Sequence, residues 1–372
     1  MATELKTVSL ASGYGDFAVP EVALRATTAA LREAQAHGAP LPVPPAGGLP
    51  ALREAIAARY RRRGAAGVDS AQVVVTPGAK VALFSVLCEL LRPGDDVLLP
   101  TPNWFGFADL VRRAGGVLRP LPLASADGYA LTPAALRAAL RPGTRLLIIS
   151  NPNNPTGRVF NQEEWAALLA VMADYPELWV LSDEIYEGIC FGARPVPTLL
   201  AQPGPAVRRV VVSGFSKSLA LAGWGVGCLV APAPVAAAIE ARLFSTSGAV
   251  PLPNQLAALA ATEQAEAIGE QLCRQLRPTR QLLLDWLRDL APVACTAPEG
   301  TYYVFADFTR YLTPGLPPDQ ASAQLVRRLA DCGVEVVDGA SCGAPGFVRL
   351  SYAVSEAVLR EALRRMQTAL AG

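Results

Sequence analysis

Short apolar runs alternate with helical patterns through the middle of this chain, and that alternation restricts the fold more than any other feature. Residues 72–76, 96–99, 145–150, 178–181, 208–213 and 228–230 read as strands, and 80–91, 106–114, 132–140 and 162–174 carry helical spacing between them. Alternation of this kind predicts an α/β fold, with a mostly parallel central sheet and helices on both faces. The strands are rich in Val, Ile and Leu, as strands covered on both faces should be.

The ends read differently. Residues 20–37 have helical spacing after Pro20, and Pro40, Pro42, Pro44, Pro45, Gly47 and Gly48 then mark a crossing segment. Residues 301–306 and 347–352 alternate like open strands, 355–370 form a closing helix, and one long helical stretch, 256–290, joins the halves. A chain of 372 residues can build two cores. We expect a large domain over 43–285 and a small α+β domain built from both termini, 1–42 and 286–372.

Composition narrows the function. The chain has 33 Lys and Arg against 32 Asp and Glu, so no bulk field draws it to nucleic acid or an anionic membrane. Arg61-Arg62-Arg63 ends a helical pattern at 49–60 and is expected to be solvated, since cations suit a helix C-terminus. The seven cysteines are scattered without a CxxC pair, which predicts buried thiols in a reducing compartment and no metal site. The single histidine, His37, falls at a helix end before Gly38. Serine–histidine hydrolysis and multi-histidine metal centres find no support, and proton transfer is left to lysine, carboxylate or tyrosine. The least polar stretch, 224–239, is interrupted by Pro232 and Pro234 and is too short to span a membrane. No signal peptide is legible, so a soluble cytoplasmic protein is expected.

In open parallel sheets, ligands bind beyond the carboxyl ends of the strands. Four predicted strand ends deliver polar groups. Pro77-Gly78-Ala79-Lys80 opens a helix after 72–76. Asn151-Pro152-Asn153-Asn154-Pro155-Thr156-Gly157 follows 145–150, Ser182-Asp183-Glu184-Ile185-Tyr186 follows 178–181, and Lys217 follows 208–213. Alone, each has an ordinary explanation: Asp183 and Asn154 suit turns, Trp104 a core, and Lys217 a snorkelling strand end. Their convergence argues for one site.

Further segments belong with these: Gly48-Leu49-Pro50-Ala51-Leu52-Arg53-Glu54-Ala55-Ile56, Ser213-Gly214-Phe215-Ser216-Lys217, Pro298-Glu299-Gly300-Thr301-Tyr302-Tyr303 and Val348-Arg349-Leu350-Ser351. Over nearly its whole length the chain resembles the class I and II aminotransferases, in the aspartate aminotransferase superfamily of fold type I enzymes. The resemblance implies pyridoxal 5′-phosphate as cofactor, with Lys217 as Schiff base and proton carrier. It places Asp183 on the pyridine nitrogen, Tyr186 and Asn154 on the ring oxygen, and Trp104 against the ring face. The N–H groups of Gly78, Ala79 and Lys80 at a helix N-terminus, with Ser213 and Ser216, would take the phosphate. Arg349 would clamp the substrate α-carboxylate with its guanidinium fork, beside Asn154 and Gly13 in the loop 12–17. The family is typically dimeric, and Ser245-Thr246-Ser247 resembles the loop reaching the partner's phosphate site. A homodimer with shared active sites, Thr246 contributing to the partner's cofactor, is thus implied. So is transamination between an amino acid and a 2-oxo acid. The same motifs would also serve elimination, replacement or cyclisation of a side chain. A catalytically silent member of the fold fits less well, because Lys217, Asp183, Tyr186, Asn154 and Arg349 are intact. No second arginine for a dicarboxylate stands out. Tyr14, Phe17, Trp104, Phe107 and Tyr302 suit either an apolar pocket or an ordinary core.

Two positions break the family pattern. An arginine or lysine normally lies eight residues after the Schiff-base lysine, and here that residue is Gly225. A tyrosine normally precedes the Gly48-Leu49-Pro50 motif, and here Leu41-Pro42-Val43-Pro44-Pro45 offers no hydroxyl. Ser213, Ser216 and the helix N-terminus must then anchor more of the phosphate. Losing one charge-assisted hydrogen bond weakens holding roughly tenfold to hundredfold. Either the cofactor is exchanged, or the space accepts a bulky or anionic substrate group.

Overall fold

The computed structural model describes residues 7–204, 207–290 and 293–371. Strand β1 (Val8–Ser9) leads to helices α1 (Glu21–His37) and α2 (Pro50–Arg62). Strands and helices then alternate: β2 (Val73–Thr76), α3 (Ala79–Leu90), β3 (Asp96–Thr101), α4 (Gly106–Arg113), β4 (Val117–Pro122), α5 (Pro133–Ala139), β5 (Thr144–Ser150), α6 (Gln162–Met172) and β6 (Trp179–Asp183). After β7 (Arg208–Gly214), the single turn α7 (Phe215–Ser218) and β8 (Gly227–Val230) come α8 (Ala233–Thr246), α9 (Leu252–Glu263) and α10 (Ala265–Asp289). The C-terminal part holds β9 (Ala294–Cys295), β10 (Tyr303–Asp307), α11 (Pro318–Asp331), β11 (Val334–Glu335), β12 (Val337–Asp338), β13 (Phe347–Ser351) and α12 (Glu356–Ala371).

The seven-stranded sheet has the order β2-β8-β7-β6-β5-β3-β4, parallel except for β8. Apart from the edge strand β4, its strands are mostly buried on both faces, and their period of two divides them between two cores. Val73, Val75, Leu147, Ile149 and Val211 pack with α2, α6 and α9, while Val74, Leu146, Ile148, Val210 and Val212 pack with α3, α4 and α8. A third core lies between α10, α11 and α12 and the small antiparallel sheet β12-β13-β10-β9. Strand β1 pairs with β11 beside this third core, whereas α1 packs on α9.

Three expectations are corrected. The joining stretch 256–290 is two helices, separated at Gln264 (φ −115°). β4 was not anticipated; it is an edge strand, and its Pro120 and Pro122 obscure a strand signal that an edge position tolerates. The arginine run is not wholly solvated. Arg63, capping α2, turns inward and bridges two buried carboxylates, Glu184 and Glu187. His37 is exposed at the end of α1, with Nδ1 2.9 Å from the Glu33 carbonyl oxygen. All seven cysteines are free thiols. Among the described residues no cluster of His, Cys, Asp or Glu could hold a metal, and no helix is long and apolar enough to cross a membrane.

Candidate active site

The central strand ends lie side by side. Ser150 of β5 pairs with Asp183 of β6, and Asp183 pairs with Val212 of β7. Two bonds beyond the strands hold this alignment: Asn151 N–H donates to the Asp183 carbonyl at 2.9 Å, and Glu184 N–H to that of Val212 at 2.8 Å. The chain therefore delivers Asn154, Asp183, Tyr186 and Lys217 to one end of the sheet.

Beside them is a cradle of backbone. Gly78, at φ +86°, turns the chain from β2 into α3, whose start has no side-chain cap. The first N–H groups of such a helix have no intrahelical partner. A Cβ at Gly214 would lie 3.1 Å from Ala79 Cβ, and Gly227 meets the Gly78 and Ala79 backbone with no room for a side chain. Ser213 points to the other face of the sheet, beside Arg59, Tyr60 and Cys228, and so is not brought to the helix end by its side chain, while Ser216 follows in α7. Gly214 pairs with Gly227 across β7 and β8, and Phe215 N–H donates to the Val226 carbonyl at 3.2 Å. Gly225 is exposed, has φ +63°, and a Cβ there would meet nothing within 4 Å.

Lys217 is largely enclosed. Its ammonium donates to the Gly13 carbonyl and lies 3.5 Å from the centre of the Tyr14 ring. Burial, with the positive charges of Arg349 and Lys80 adding to it, pulls the amine down to about 7. Asp183 moves the other way. Burial pushes its carboxyl up to about 7, with the Glu184 charge adding to the rise and the Ile185 N–H bond, at 3.2 Å, opposing it. The two groups meet near neutrality from opposite sides.

A tyrosine cluster forms the floor. Tyr186 and Tyr303 share a hydrogen bond at 2.8 Å between their hydroxyls. Tyr302 stands edge-on to both and donates to the Gly13 carbonyl at 2.8 Å. Burial first, then mutual proximity, raises the hydroxyl of Tyr186 well above its ordinary value. Arg349 on β13 donates to Asn154 Oδ1 at 3.0 Å and to the Ala11 carbonyl at 2.8 Å, and its guanidinium lies 4.1 Å from the centre of the Tyr303 ring. Its Nε is buried without a partner. Trp104, at the start of α4, packs edge-on against Phe107 at 5.3 Å, and the Lys80 ammonium lies 5.9 Å from its ring.

Some anticipated residues lie elsewhere. Thr246 ends α8, exposed, donating to its own helix at the Arg242 carbonyl (2.8 Å), and does not join this chain's cluster. Phe107 is a core side chain and Phe17 packs against the core, whereas Tyr302 belongs to the floor of the site. Other contributors were not anticipated. Asn103 Oδ1 accepts from Trp104 N–H at 2.8 Å and Ser150 Oγ at 3.0 Å, tying the tryptophan loop to β5. The Ala11 carbonyl satisfies Arg349, and a backbone carbonyl leaves no mark in a sequence. Behind the site, Arg63 contacts Glu184 Oε2 at 3.4 Å and Glu187 Oε2 at 3.3 Å, and Arg59 pairs with Glu187.

The donor set fits pyridoxal phosphate. An uncapped helix start lies against close-packed glycines, a buried carboxyl awaits a cation, an enclosed amine has its proton affinity lowered, and an orphaned guanidinium nitrogen can still donate. Fold and site together define a fold type I enzyme of the pyridoxal-phosphate class. The family model for aminotransferase class I and II matches residues 6–366, and the chain belongs to that family. It is 35% identical over 370 residues to the aspartate/prephenate aminotransferase of Thermus thermophilus, covering 98% of this chain and 91% of that protein. It is 31% identical to the aspartate aminotransferase of Rhizobium meliloti, covering 97% and 88%. The solved aspartate aminotransferase from Thermus thermophilus with maleate superposes with a TM-score of 0.88 at 33% identity, over 98% of this chain and 92% of that one. This protein is a pyridoxal-phosphate-dependent aminotransferase, and these relatives favour transamination over the side-chain chemistries that the motifs would also serve.

Proposed function

We propose that the amino donor is a dicarboxylic amino acid of the aspartate kind, held at both ends. Arg349 takes the α-carboxylate, and Lys80, on the first turn of α3, takes the distal one. The observation that carries this is the Lys80 ammonium, which lies against Trp104 and close enough to Lys217 to depress its proton affinity. The names of the relatives, aspartate and aspartate/prephenate aminotransferases, point to the same class of donor.

Pyridoxal phosphate supplies an aldehyde that condenses with amines and a ring that accepts the electron pair left when Cα loses its proton. The residues divide the remaining work. Asp183, ionised against a protonated ring nitrogen, keeps that ring electron-poor. Tyr186 and Asn154 donate to the ring oxygen. Ser216 and the start of α3 would hold the phosphate. Lys217, whose amine burial pulls down to about 7, would take up and return the proton at its Nζ near neutral pH. The buried tyrosines keep water from the reacting face.

We assign residues 43–285 to cofactor binding, and 286–372 with the segment around β1 to closing over the substrate, while α1 stays packed on α9 of the large domain. We also propose a homodimer in a reducing, cytoplasmic setting. Seven free thiols support the compartment. Val43 and Phe244, 89% and 79% exposed, support a second copy covering them.

Replacing Lys80 with alanine tests the donor. The variant loses about tenfold to hundredfold in kcat/KM for aspartate, as expected for one charge-assisted bond, and little for alanine. An equal loss for both donors would reject the dicarboxylate reading.

A further inference from the structure

The backbone cradle at the start of α3 is formed by glycines, Gly78, Gly214 and Gly227, none of which carries a charge. Position 225 lies two residues before Gly227, which packs directly on the Gly78–Ala79 backbone at the start of α3, and carries no side chain. The left-handed backbone there (φ +63°) also disfavours any side chain. Two of the cations nearest the site have partners. Arg59 is paired with Glu187, and Arg349 is held by Asn154 and the Ala11 carbonyl. Lys80 lies over Trp104. The second hydroxyl-free place, Val43, projects outward at 89% exposure.

The consequence differs between the two forms of the cofactor. Lys217 can tether the aldehyde form covalently: its amine condenses with the carbonyl, a C=N bond forms, and water leaves. The amino form has no aldehyde, so Lys217 cannot tether it, and retention falls on the ring contacts and the phosphate cradle. Weak phosphate holding therefore costs the amino form most.

We propose that this enzyme releases the amino form of its cofactor between half-reactions and recharges with the aldehyde form, so that the cofactor behaves as an exchanging substrate. The inference rests on the transamination reading and goes further, because ordinary transamination regenerates the aldehyde form without release.

The test follows both forms. Holoenzyme is mixed with aspartate, without a 2-oxo acid, and desalted. The visible absorbance falls as the amino form accumulates, and the desalted protein has lost its cofactor. Absorbance that falls while the cofactor stays bound overturns the exchange proposal alone, whereas absorbance that never changes removes the aspartate reading and this one with it. A direct measurement needs no donor. Cofactor-free protein is titrated with pyridoxamine 5′-phosphate and followed by tryptophan fluorescence. Gly225→Arg binds about tenfold to hundredfold more tightly than Gly225→Ala, which carries the same backbone strain without the cation. Equal affinity of the two variants refutes the neutral-cradle argument.

Discussion

Asp183 and Lys217 carry opposite shifts with the same physical origin, since burial disfavours the charged form of each. Without cofactor, both leave a mark on stability. The folded carboxyl of Asp183 keeps a proton that the unfolded chain has released, so stability falls as pH rises from the ordinary carboxyl range to about 7. Lys217, pulled down to about 7, gives the reverse: the unfolded chain holds the extra proton, and stability rises with pH above about 7. Neutral pH is therefore the weak point of the cofactor-free protein as far as these two groups go. Replacing Asp183 with asparagine removes the lower limb, which is worth on the order of 4 kcal/mol for a three-unit shift. The melting temperature of cofactor-free Asp183→Asn stays level from pH 5 to 7, where the parent declines; a matching decline in both would show that another group is responsible. Lys217, Asp183, Asn154 and Arg349 were legible because each sits in a motif or just past an apolar run. Tyr14 over the amine was not, because nothing local distinguishes a loop tyrosine that folds back from one that does not.

At the scale of elements, the turn after β6 is worked from both sides. Asp183 and Tyr186 serve the active-site face, and Glu184 and Glu187 are gripped from behind by the end of α2. Glu184 Oε1 accepts from Ser182 Oγ at 3.1 Å, Thr198 Oγ1 at 3.1 Å and Leu199 N–H at 2.9 Å, while Arg63 reaches the other oxygen. Burial raises the Glu184 carboxyl, with Arg63 opposing. Burial acts likewise on Glu187, but Arg59 and Arg63 outweigh it and hold that carboxyl below its usual range. Removing one member of a buried ion pair costs about 3–5 kcal/mol. Arg63→Met is expected to lose that much stability in urea unfolding, with part recovered in Arg63→Met/Glu184→Gln, which removes the stranded charge. No recovery in the double variant would argue against a charge-based role. The sequence could not disclose this cluster, because an arginine closing an amphipathic helix looks the same whether it meets water or a neighbouring turn. The break between α9 and α10 was hidden for a similar reason: no proline or glycine marks it, and Pro278, inside α10, is not where the chain bends away.

For the whole molecule, the sheet and its two covering layers followed from the alternation of runs, because strands buried on both faces cannot vary their chemistry much. What the pattern left open was how the N-terminal segment crosses from the third core to the large sheet, since proline-rich chain has no period to read. That crossing exposes Val43, and α8 exposes Phe244. If a second copy covers them, Phe244→Asp shifts the protein from dimer to monomer in light scattering and lowers activity with it; a variant that stays dimeric places the interface elsewhere. The same crossing leaves one further consequence. Residues 11–13 supply the carbonyls that hold Arg349 and Lys217. Arg349 is the group that the substrate's carboxylate would engage, and Lys217 the one that the cofactor's aldehyde would engage. The cofactor-free protein thus keeps a stretch of its own backbone as a placeholder, and cofactor and substrate arrive by trading partners with it, so that neither buried group is left bare while waiting.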